Sequence, residues 1–260
     1  MSGERFGEEA VRKGEKFGAL ELDRTNKFNN GREKFGKEHI ANKMNHLTKF
    51  ADFSAPIYDF IFRSFWMGRE NAFRQKVIDL LDLTGDEPVL DVGCGTGTLT
   101  SMIANKMNGR GSVFGIDLSP KMIEVAKKKD SRNGKRAKYK VASSLALPFD
   151  NETFDAVVTS LVYHHLFSPA EKVKTLTEIR RVLKPDGRYT AAEFIRFTAA
   201  NLLATHDSLI QKIPLFGPEL LEVNGFRIVD KVEITKGIMI ISARKFDEGK
   251  EVIYANRSFV

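Results

Sequence analysis

The chain has 260 residues, of which 42% are hydrophobic, so it is long enough to bury the core of one domain and to carry an extension. No stretch approaches the roughly 18 consecutive apolar residues of a membrane span, and the charged first residues are unlike a secretory signal. Cys94 is the only cysteine, which excludes an intrachain disulfide and a cysteine-based metal cluster. We therefore expect a cytoplasmic protein that holds no metal.

The formal net charge is +7, and the positive charge is concentrated in one stretch. Nine basic residues stand against two acidic ones between Lys121 and Lys140, which leaves the rest of the chain near neutrality. Such a patch can attract nucleic acid, an anionic membrane surface or an acidic substrate. Its Lys127–Lys140 part is the predicted place for a weak contact of this kind; a solvated helix end without a partner is the alternative.

Residues 1–45 form a charged extension that is rich in glycine and asparagine. A short motif ending in Phe-Gly recurs at Phe6, Phe17 and Phe35, and this spacing would place the three phenylalanines on nearly the same face of a helix. Frequent glycines argue against one continuous helix. We predict short helical pieces that are partly mobile, with a disordered arm as the alternative.

Residues 46–84 are predicted to form a helical cap or lid. Aromatic side chains are dense in its first half, and most of them are interpreted as core. Tyr58 is the exception, because a phenol can lie over a cationic group and also form hydrogen bonds. Helical apolar spacing then predicts a helix over Glu70–Leu83, which ends at Thr84-Gly85.

A strand and a glycine-rich turn open the predicted core, residues 85–246. The apolar run Val89–Val92 predicts a strand buried on both faces, and a helix is predicted from Leu99 to Met107. Between them, glycines alternate at positions 93, 95 and 97, where the backbone can approach a ligand that a Cβ would repel. The free N–H groups at the start of the next helix add to such a site. A ligand site is therefore predicted here; a turn without a ligand is the alternative.

A second buried strand over Gly111–Asp117 ends in an acid, and Ser119-Pro120 then starts a helix. A carboxylate at the tip of this strand can accept hydrogen bonds from both hydroxyls of a ribose. Asp117 therefore predicts a nucleoside ligand, although dehydrogenases use the same device. A third strand is predicted over Ala137–Ala142.

The fourth predicted strand, Phe154–Ser160, leads to His164 and His165. Ligands of open α/β sheets bind at the carboxyl ends of strands, so these histidines are candidates for acid–base chemistry. A structural role is the alternative. Metal binding is disfavoured, because no cysteine or third histidine lies nearby and the two side chains diverge on a strand.

The remaining pattern predicts three helices, a fifth strand and a closing antiparallel hairpin, followed by a polar tail. In chain order these are the helix Pro169–Leu183, the strand Arg188–Phe194, the helices Thr198–Lys212 and Pro218–Val223, the hairpin strands Asn224–Val232 and Gly237–Lys245, and the tail 247–260.

Several motifs resemble the class I S-adenosylmethionine (SAM) dependent methyltransferases. The sequence D-V-G-C-G-T-G over 91–97 resembles motif I of that family and departs from the dinucleotide fingerprint, which needs a glycine at position 98. The sequence G-I-D-L-S-P-K-M over 115–122 is typical of the same family. The segment around Tyr58-Asp59 is similar to the helix that folds over the cofactor in small-molecule members, including the ubiquinone/menaquinone-biosynthesis type. The resemblance covers roughly residues 45–245.

This resemblance implies a Rossmann-like α/β fold, with a seven-stranded, mostly parallel sheet in the order 3-2-1-4-5-7-6, helices on both faces and an N-terminal helical extension. It implies SAM as the cofactor, with its methionine end at the glycines and its ribose at Asp117. Ser143 stands where the family usually has an acid that contacts adenine. The implied cofactor-binding residues are Asp91, Gly93, Cys94, Gly95, Gly97, Asp117, Leu118, Met122, Ser143, Ser144, Leu145, Ser160 and Leu161.

The implied reaction is an in-line displacement of a methyl group, in which the protein contributes positioning and water exclusion. Tyr58, His164 and His165 are the predicted catalytic residues that face the acceptor. The aromatic cap favours a small apolar or aromatic acceptor, such as a quinone-like or lipid precursor. The alternatives are methylation of RNA or protein through the basic patch over 121–140, a non-catalytic protein that binds SAM or nucleic acid, and an NAD-linked oxidoreductase.

Overall fold

The computed structural model describes residues 48–49, 51–132, 134, 136–166, 168–195, 216–235 and 237–246. From position 51 onward these residues belong to one unit of the chain. The predicted extension 1–45, the predicted helix Thr198–Lys212 and the tail 247–260 lie outside the described residues. No helix in the described part is long and apolar enough to span a bilayer.

Helices and strands alternate through most of the described chain. Residues 51–54 are helical. The helices that follow are α1 (Tyr58–Phe65), α2 (Glu70–Leu80), α3 (Thr98–Lys106), α4 (Pro120–Arg132), α5 (Pro169–Val182) and α6 (Pro218–Glu222), with a 3-10 turn at Tyr163–His165. The strands are β1 (Pro88–Val92), β2 (Ser112–Asp117), β3 (Ala137–Val141), β4 (Phe154–Ser160), β5 (Leu183–Phe194), β6 (Phe226–Thr235) and β7 (Ile238–Lys245).

The seven strands form one sheet in the order β3-β2-β1-β4-β5-β7-β6. Strands β1 to β5 pair in parallel, whereas β7 runs antiparallel to both β5 and β6. The predicted strand order and the closing antiparallel hairpin are therefore confirmed, and the sheet is mostly but not wholly parallel.

The central strands carry a separate apolar cluster on each face. Leu90 of β1 packs in one cluster with Leu176 of α5, and the neighbouring Val89 packs in the other with Val77 of α2 and Ile103 of α3. All five side chains are fully buried, and each contributes on the order of 1.5–3 kcal/mol to folding. Helices cover both faces of β1, which explains why its sequence is a continuous apolar run.

Strand β5 begins at Leu183 rather than at the predicted Arg188. Its pairing with β4 shifts register, so that Phe154 pairs with Leu183 and Ala156 pairs with Arg188. The intervening turn includes Asp186 at φ +61°, a left-handed conformation that aspartate tolerates better than most residues. The sequence predicts that β5 begins after this turn, whereas in the structure the turn is an irregularity within β5.

The carboxyl ends of β1, β2, β4 and β5 meet at one edge of the sheet, because these strands are parallel neighbours. At that edge the chain leaves β1 through the glycine turn, leaves β2 at Asp117, and leaves β4 at the 3-10 turn. Open α/β sheets bind ligands at this edge.

Candidate active site

The glycine turn after β1 is held against β2 by its backbone. The N–H groups of Gly93 and Cys94 both donate to the carbonyl of Ile116 at 2.8 Å. A Cβ on Gly97, at φ +75°, would lie 2.8 Å from Cβ of Ala126, so packing as well as backbone conformation requires glycine there. A Cβ on Gly95 would meet only Tyr58, at 3.9 Å. The Gly95 side of the turn therefore faces the space beneath the Tyr58 ring.

Asp117 connects the tip of β2 to this turn. Its Oδ2 accepts a hydrogen bond from the Gly95 N–H at 2.9 Å, and its Oδ1 accepts one from the Ser119 N–H at 2.9 Å. Burial raises the pKa of Asp117, and these N–H donors oppose that shift. A carboxylate offers about four acceptor positions, so both oxygens can accept further hydrogen bonds from a ligand.

Asp91 lies behind the glycine turn rather than on its surface. It is 1% exposed, and its Oδ2 accepts a hydrogen bond from Thr100 Oγ1 at 2.6 Å. Burial raises its pKa to about 7, the Thr100 hydroxyl opposes this shift, and Asp117 adds to it. The bond to Thr100 ties β1 to the first turn of α3, which supports a role in fixing the turn.

Helix α1 is fastened over the glycine turn by Asp59. The Asp59 Oδ1 accepts hydrogen bonds from Oγ1 of Thr96 at 2.6 Å and of Thr98 at 3.2 Å, and its Oδ2 accepts one from Lys129 Nζ of α4 at 2.6 Å. Although burial opposes ionisation, these hydrogen bonds lower the pKa of Asp59. None of these four residues is among the predicted cofactor or catalytic residues, although Lys129 lies in the predicted basic patch; the Tyr-Asp pair in α1 is the signal in the sequence.

Tyr58 is placed above the turn by that attachment. Burial raises its pKa to about 12 and the Asp117 carboxylate adds to the effect, whereas Arg74 of α2 opposes it. The phenol therefore stays protonated at neutral pH. The Arg74 guanidinium lies 4.5 Å from the centre of the Phe62 ring, so α2 supports the same helix from behind.

Glu193, at the end of β5, fixes the orientation of His164. It is 1% exposed, and its Oε1 lies 3.0 Å from His164 Nδ1. Its Oε2 accepts the Tyr163 N–H at 2.6 Å, and its Oε1 accepts the Phe194 N–H at 2.9 Å. Sequence reasoning missed Glu193; the signal was an acid in the otherwise apolar end of a predicted strand.

The prediction that the side chains of His164 and His165 diverge on a strand is wrong, because both residues lie in the 3-10 turn after β4 and their rings are neighbours. The rings of His164 and His165 are 3.8 Å apart between centroids. His165 is exposed, and desolvation by the neighbouring protein atoms, followed by the charge of His164, lowers its pKa well below the usual value. His165 is therefore neutral at physiological pH.

The serines predicted at the adenine end have partners within the protein. Ser143 Oγ accepts the Leu145 N–H at 3.2 Å, and Ser144 Oγ lies 3.1 Å from Thr175 Oγ1 of α5. The Ala142 N–H donates to the Asp117 carbonyl at 3.0 Å, which holds this loop beside the tip of β2. Leu118 is 37% exposed at that tip, whereas Leu145 is half-buried.

The other predicted cofactor residues differ in exposure. Met122 and Cys94 are buried, and burial raises the pKa of the Cys94 thiol well above its usual value. Ser160 is half-buried at the end of β4. Leu161 follows at φ +57°, and its N–H donates to the Ala192 carbonyl at 2.8 Å. Within the described ranges, no three His, Cys, Asp or Glu side chains are grouped so that they could hold a metal ion.

Comparisons with known proteins agree with this arrangement. Residues 89–187 match the family described as a methyltransferase domain. The ubiquinone/menaquinone biosynthesis C-methyltransferase of Citrifermentans bemidjiense is 37% identical over 142 residues, which cover 54% of this chain and 59% of that protein. The demethylmenaquinone methyltransferase of Thermus thermophilus is 34% identical over 140 residues, which cover 54% and 62%. The match thus spans about three fifths of the length of these relatives.

A solved structure shares the fold. The crystal structure of a SAM-dependent methyltransferase from Aquifex aeolicus aligns with a TM-score of 0.56 at 22% identity, covering 66% of this chain and 89% of that one. Residues 89–187 thus match a methyltransferase domain, and with its strand order and glycine turn the chain resembles the SAM-dependent ubiquinone/menaquinone-biosynthesis C-methyltransferases.

Proposed function

We propose that the chain is a SAM-dependent C-methyltransferase that acts on a small, apolar or aromatic acceptor of the quinone type. The names of its relatives support the reaction class. The observation that carries the proposal is the Glu193–His164 pair, which lies at the same sheet edge as the glycine turn and Asp117.

The residues at the glycine turn fit SAM. The Asp117 carboxylate has acceptor positions left for two ribose hydroxyls. Because Gly95 has no Cβ, the space between its backbone and Tyr58 stays open for the cofactor. When bound, SAM supplies an electrophilic methyl group on a sulfonium. The cofactor would be held at its methionine end by the glycine turn with Ser160 and Leu161, and at its adenosine end by Asp117, Leu118, Met122 and the Ser143–Leu145 loop.

The Glu193–His164 pair supplies a base. With its proton on Nδ1, His164 donates a hydrogen bond to the Glu193 carboxylate, which leaves the lone pair of Nε2 to take a proton from the acceptor. A ring carbon that gains a methyl group must lose its proton before the ring becomes aromatic again. His164 takes that proton, and the adjacent carboxylate stabilises the imidazolium that forms. His165 is less suited to this role, because its surroundings oppose protonation.

The cap supplies positioning and water exclusion. Tyr58 is protonated at neutral pH, so its hydroxyl can donate a hydrogen bond to an oxygen of the acceptor. The attachment of Asp59 to Thr96 and Lys129 keeps the phenol over the glycine turn. Because α1 covers the site, it also keeps water away from the reacting atoms.

The test is a measurement of S-adenosylhomocysteine release with SAM and one acceptor at a time: a short-chain demethylmenaquinol, a thiol, an RNA and a protein mixture. We expect release only with the quinol, and mass spectrometry should place the new methyl group on a ring carbon. Release only with RNA or protein would contradict the proposal and favour the basic patch over 121–140 as the acceptor site.

A further inference from the structure

The capping segment, residues 51–69, exposes four large apolar residues, of which Ile57 and Phe60 lie one helical turn apart at the start of α1. Phe53, Ile57, Phe60 and Met67 are 80%, 52%, 74% and 82% exposed. Single exposed apolar residues are ordinary, but a patch of large ones marks an interaction surface. We call these four residues the outer patch.

The outer patch is separate from the face of the cap that covers the site. In α1, Tyr58 points inward over Gly95, and Trp66, at the helix end, stacks on Phe73 of α2 with centroids 4.3 Å apart. Phe60 points outward from the same helix. The segment is therefore apolar on two sides, and only the inner side is explained by packing within the described residues.

Charge around the outer patch is positive. The two acids of the cap face inward: Asp52 Oδ1 accepts hydrogen bonds from Ser119 Oγ at 2.5 Å and from the Lys121 N–H at 3.2 Å, and Asp59 binds Lys129. The exposed charged residues of the segment are Arg69 and Arg63, and the Nε of Arg63 lies 3.8 Å from Oε1 of Glu70.

Helix α4 adds to this charge. Because Asp52 binds its first turn and Asp59 binds its last, the capping segment runs along α4. The side chains of Lys121, Lys127 and Lys128 on that helix are exposed, and Glu124 is paired with Lys121 at 2.7 Å. Exposed lysines therefore lie on the helix along which the capping segment runs.

We propose that this face binds the surface of an anionic lipid bilayer, with the outer patch among the headgroups and acyl chains and the flanking cations on lipid phosphates. Apolar side chains together with lysines and arginines give this kind of reversible membrane contact. The charge complementarity favours an anionic membrane over an uncharged protein partner. Ile57 and Met67 offer no ring for base stacking, which disfavours RNA.

The inference rests on the proposed function in one respect: an acceptor of the quinone type that is dissolved in a bilayer would reach a site that lies directly beneath the membrane-facing helix. Binding to the bilayer itself requires neither SAM nor acceptor. The two proposals can therefore be tested separately.

The test is co-sedimentation of the full chain with phosphatidylcholine vesicles and with vesicles that also contain phosphatidylglycerol, without SAM. We expect binding to the anionic vesicles that weakens as salt rises. The double variant F53S/F60S should bind the anionic vesicles at least about tenfold more weakly than the wild type. The matched control V223S/V229S removes residues that are 80% and 59% exposed elsewhere and should bind as the wild type does.

Equal sedimentation of the wild type and F53S/F60S would overturn the inference, as would binding of the wild type to RNA but not to vesicles, or a dimer in solution that F53S/F60S abolishes. Methyl transfer to a soluble short-chain quinol should be unchanged in F53S/F60S. If the wild type bound vesicles but transferred no methyl group, the proposed function would fail and the membrane surface would stand.

Discussion

Glu193 is a buried carboxylate that accepts two backbone hydrogen bonds and faces His164. Glu193→Gln keeps the size of the side chain and removes the charge that stabilises an imidazolium. Because general-base catalysis contributes about 10²–10⁴-fold, we expect kcat to fall about a hundredfold while the Kd for SAM stays unchanged. Steady-state kinetics and calorimetry measure the two quantities.

The control for that variant is Glu233→Gln, which changes an exposed acid on the edge strand β6, across β7 from Glu193. It should leave both kcat and the Kd for SAM unchanged. A Glu193→Gln enzyme with full kcat, or one that loses kcat and SAM affinity together, would mean that Glu193 does not act through the histidine.

Asp91 should make stability depend on pH. Its pKa is raised from 3.8 to about 7 in the folded chain, so between these values the folded state holds a proton that the unfolded state has released. The free energy of unfolding from this group therefore falls as pH rises toward 7, by up to about 4 kcal/mol at about 1.4 kcal/mol per pKa unit.

Asp91→Asn removes this titration and keeps an acceptor for Thr100. Urea unfolding at pH 5 and pH 8 should show that the variant gains stability relative to the wild type at the higher pH. Curves that stay parallel between the two pH values would contradict the buried, proton-holding environment.

At the scale of elements, the packing of α4 and β3 against the glycine turn makes Gly97 irreplaceable. An added Cβ would meet Ala126 at 2.8 Å and Tyr139 at 2.9 Å, at φ +75°. We expect Gly97→Ala to lower the free energy of unfolding by about 3 kcal/mol, from backbone conformation plus overpacking. Gly109→Ala, at φ +90° with no neighbour within 4 Å, should cost only about 1 kcal/mol. Equal losses of unfolding free energy in urea titrations of the two variants would show that the turn shifts to accommodate the added methyl group, and would contradict the prediction.

The attachment of α1 gives a second prediction for an element. Asp59→Asn removes the ion pair with Lys129, whose atoms are 2.6 Å apart and partly exposed, and loosens the helix that holds Tyr58. We expect kcat/KM to fall about tenfold with little change in melting temperature. Asp79→Asn, which removes an exposed pair with Lys106 at 3.5 Å, serves as the control and should be silent. Unchanged kcat/KM in Asp59→Asn would show that the cap is held in place by its apolar contacts alone.

At the scale of the whole molecule, local signals in the sequence were sufficient for most elements. The mostly apolar run Phe154–Ser160 predicts β4 with both ends correct, because a strand that is buried on both faces appears in the sequence as consecutive, mostly apolar residues. Ser-Pro placed the start of α4. The strand order came with the resemblance to a family, since no local pattern states which strands pair.

Contacts between residues that are far apart in the chain could not be predicted from the sequence. Glu193 meets His164 only because β4 and β5 pair in a register that sets Ser160 beside Ala192. Asp59 and Lys129 are 70 positions apart and meet through the packing of α1 on the turn. Both pairs are long-range polar contacts, whose partners are chosen by the fold and not by neighbours in the chain.

The most direct test of the central claim is a calorimetric titration of SAM into the wild type and Asp117→Ala. The account predicts binding to the wild type and a loss of about a hundredfold or more in the variant, because two hydrogen bonds to a charged acceptor disappear. Asp155→Ala, which alters an acid paired with Lys184 at the other end of β4, should bind like the wild type. Equal SAM affinity in Asp117→Ala and the wild type would contradict the account.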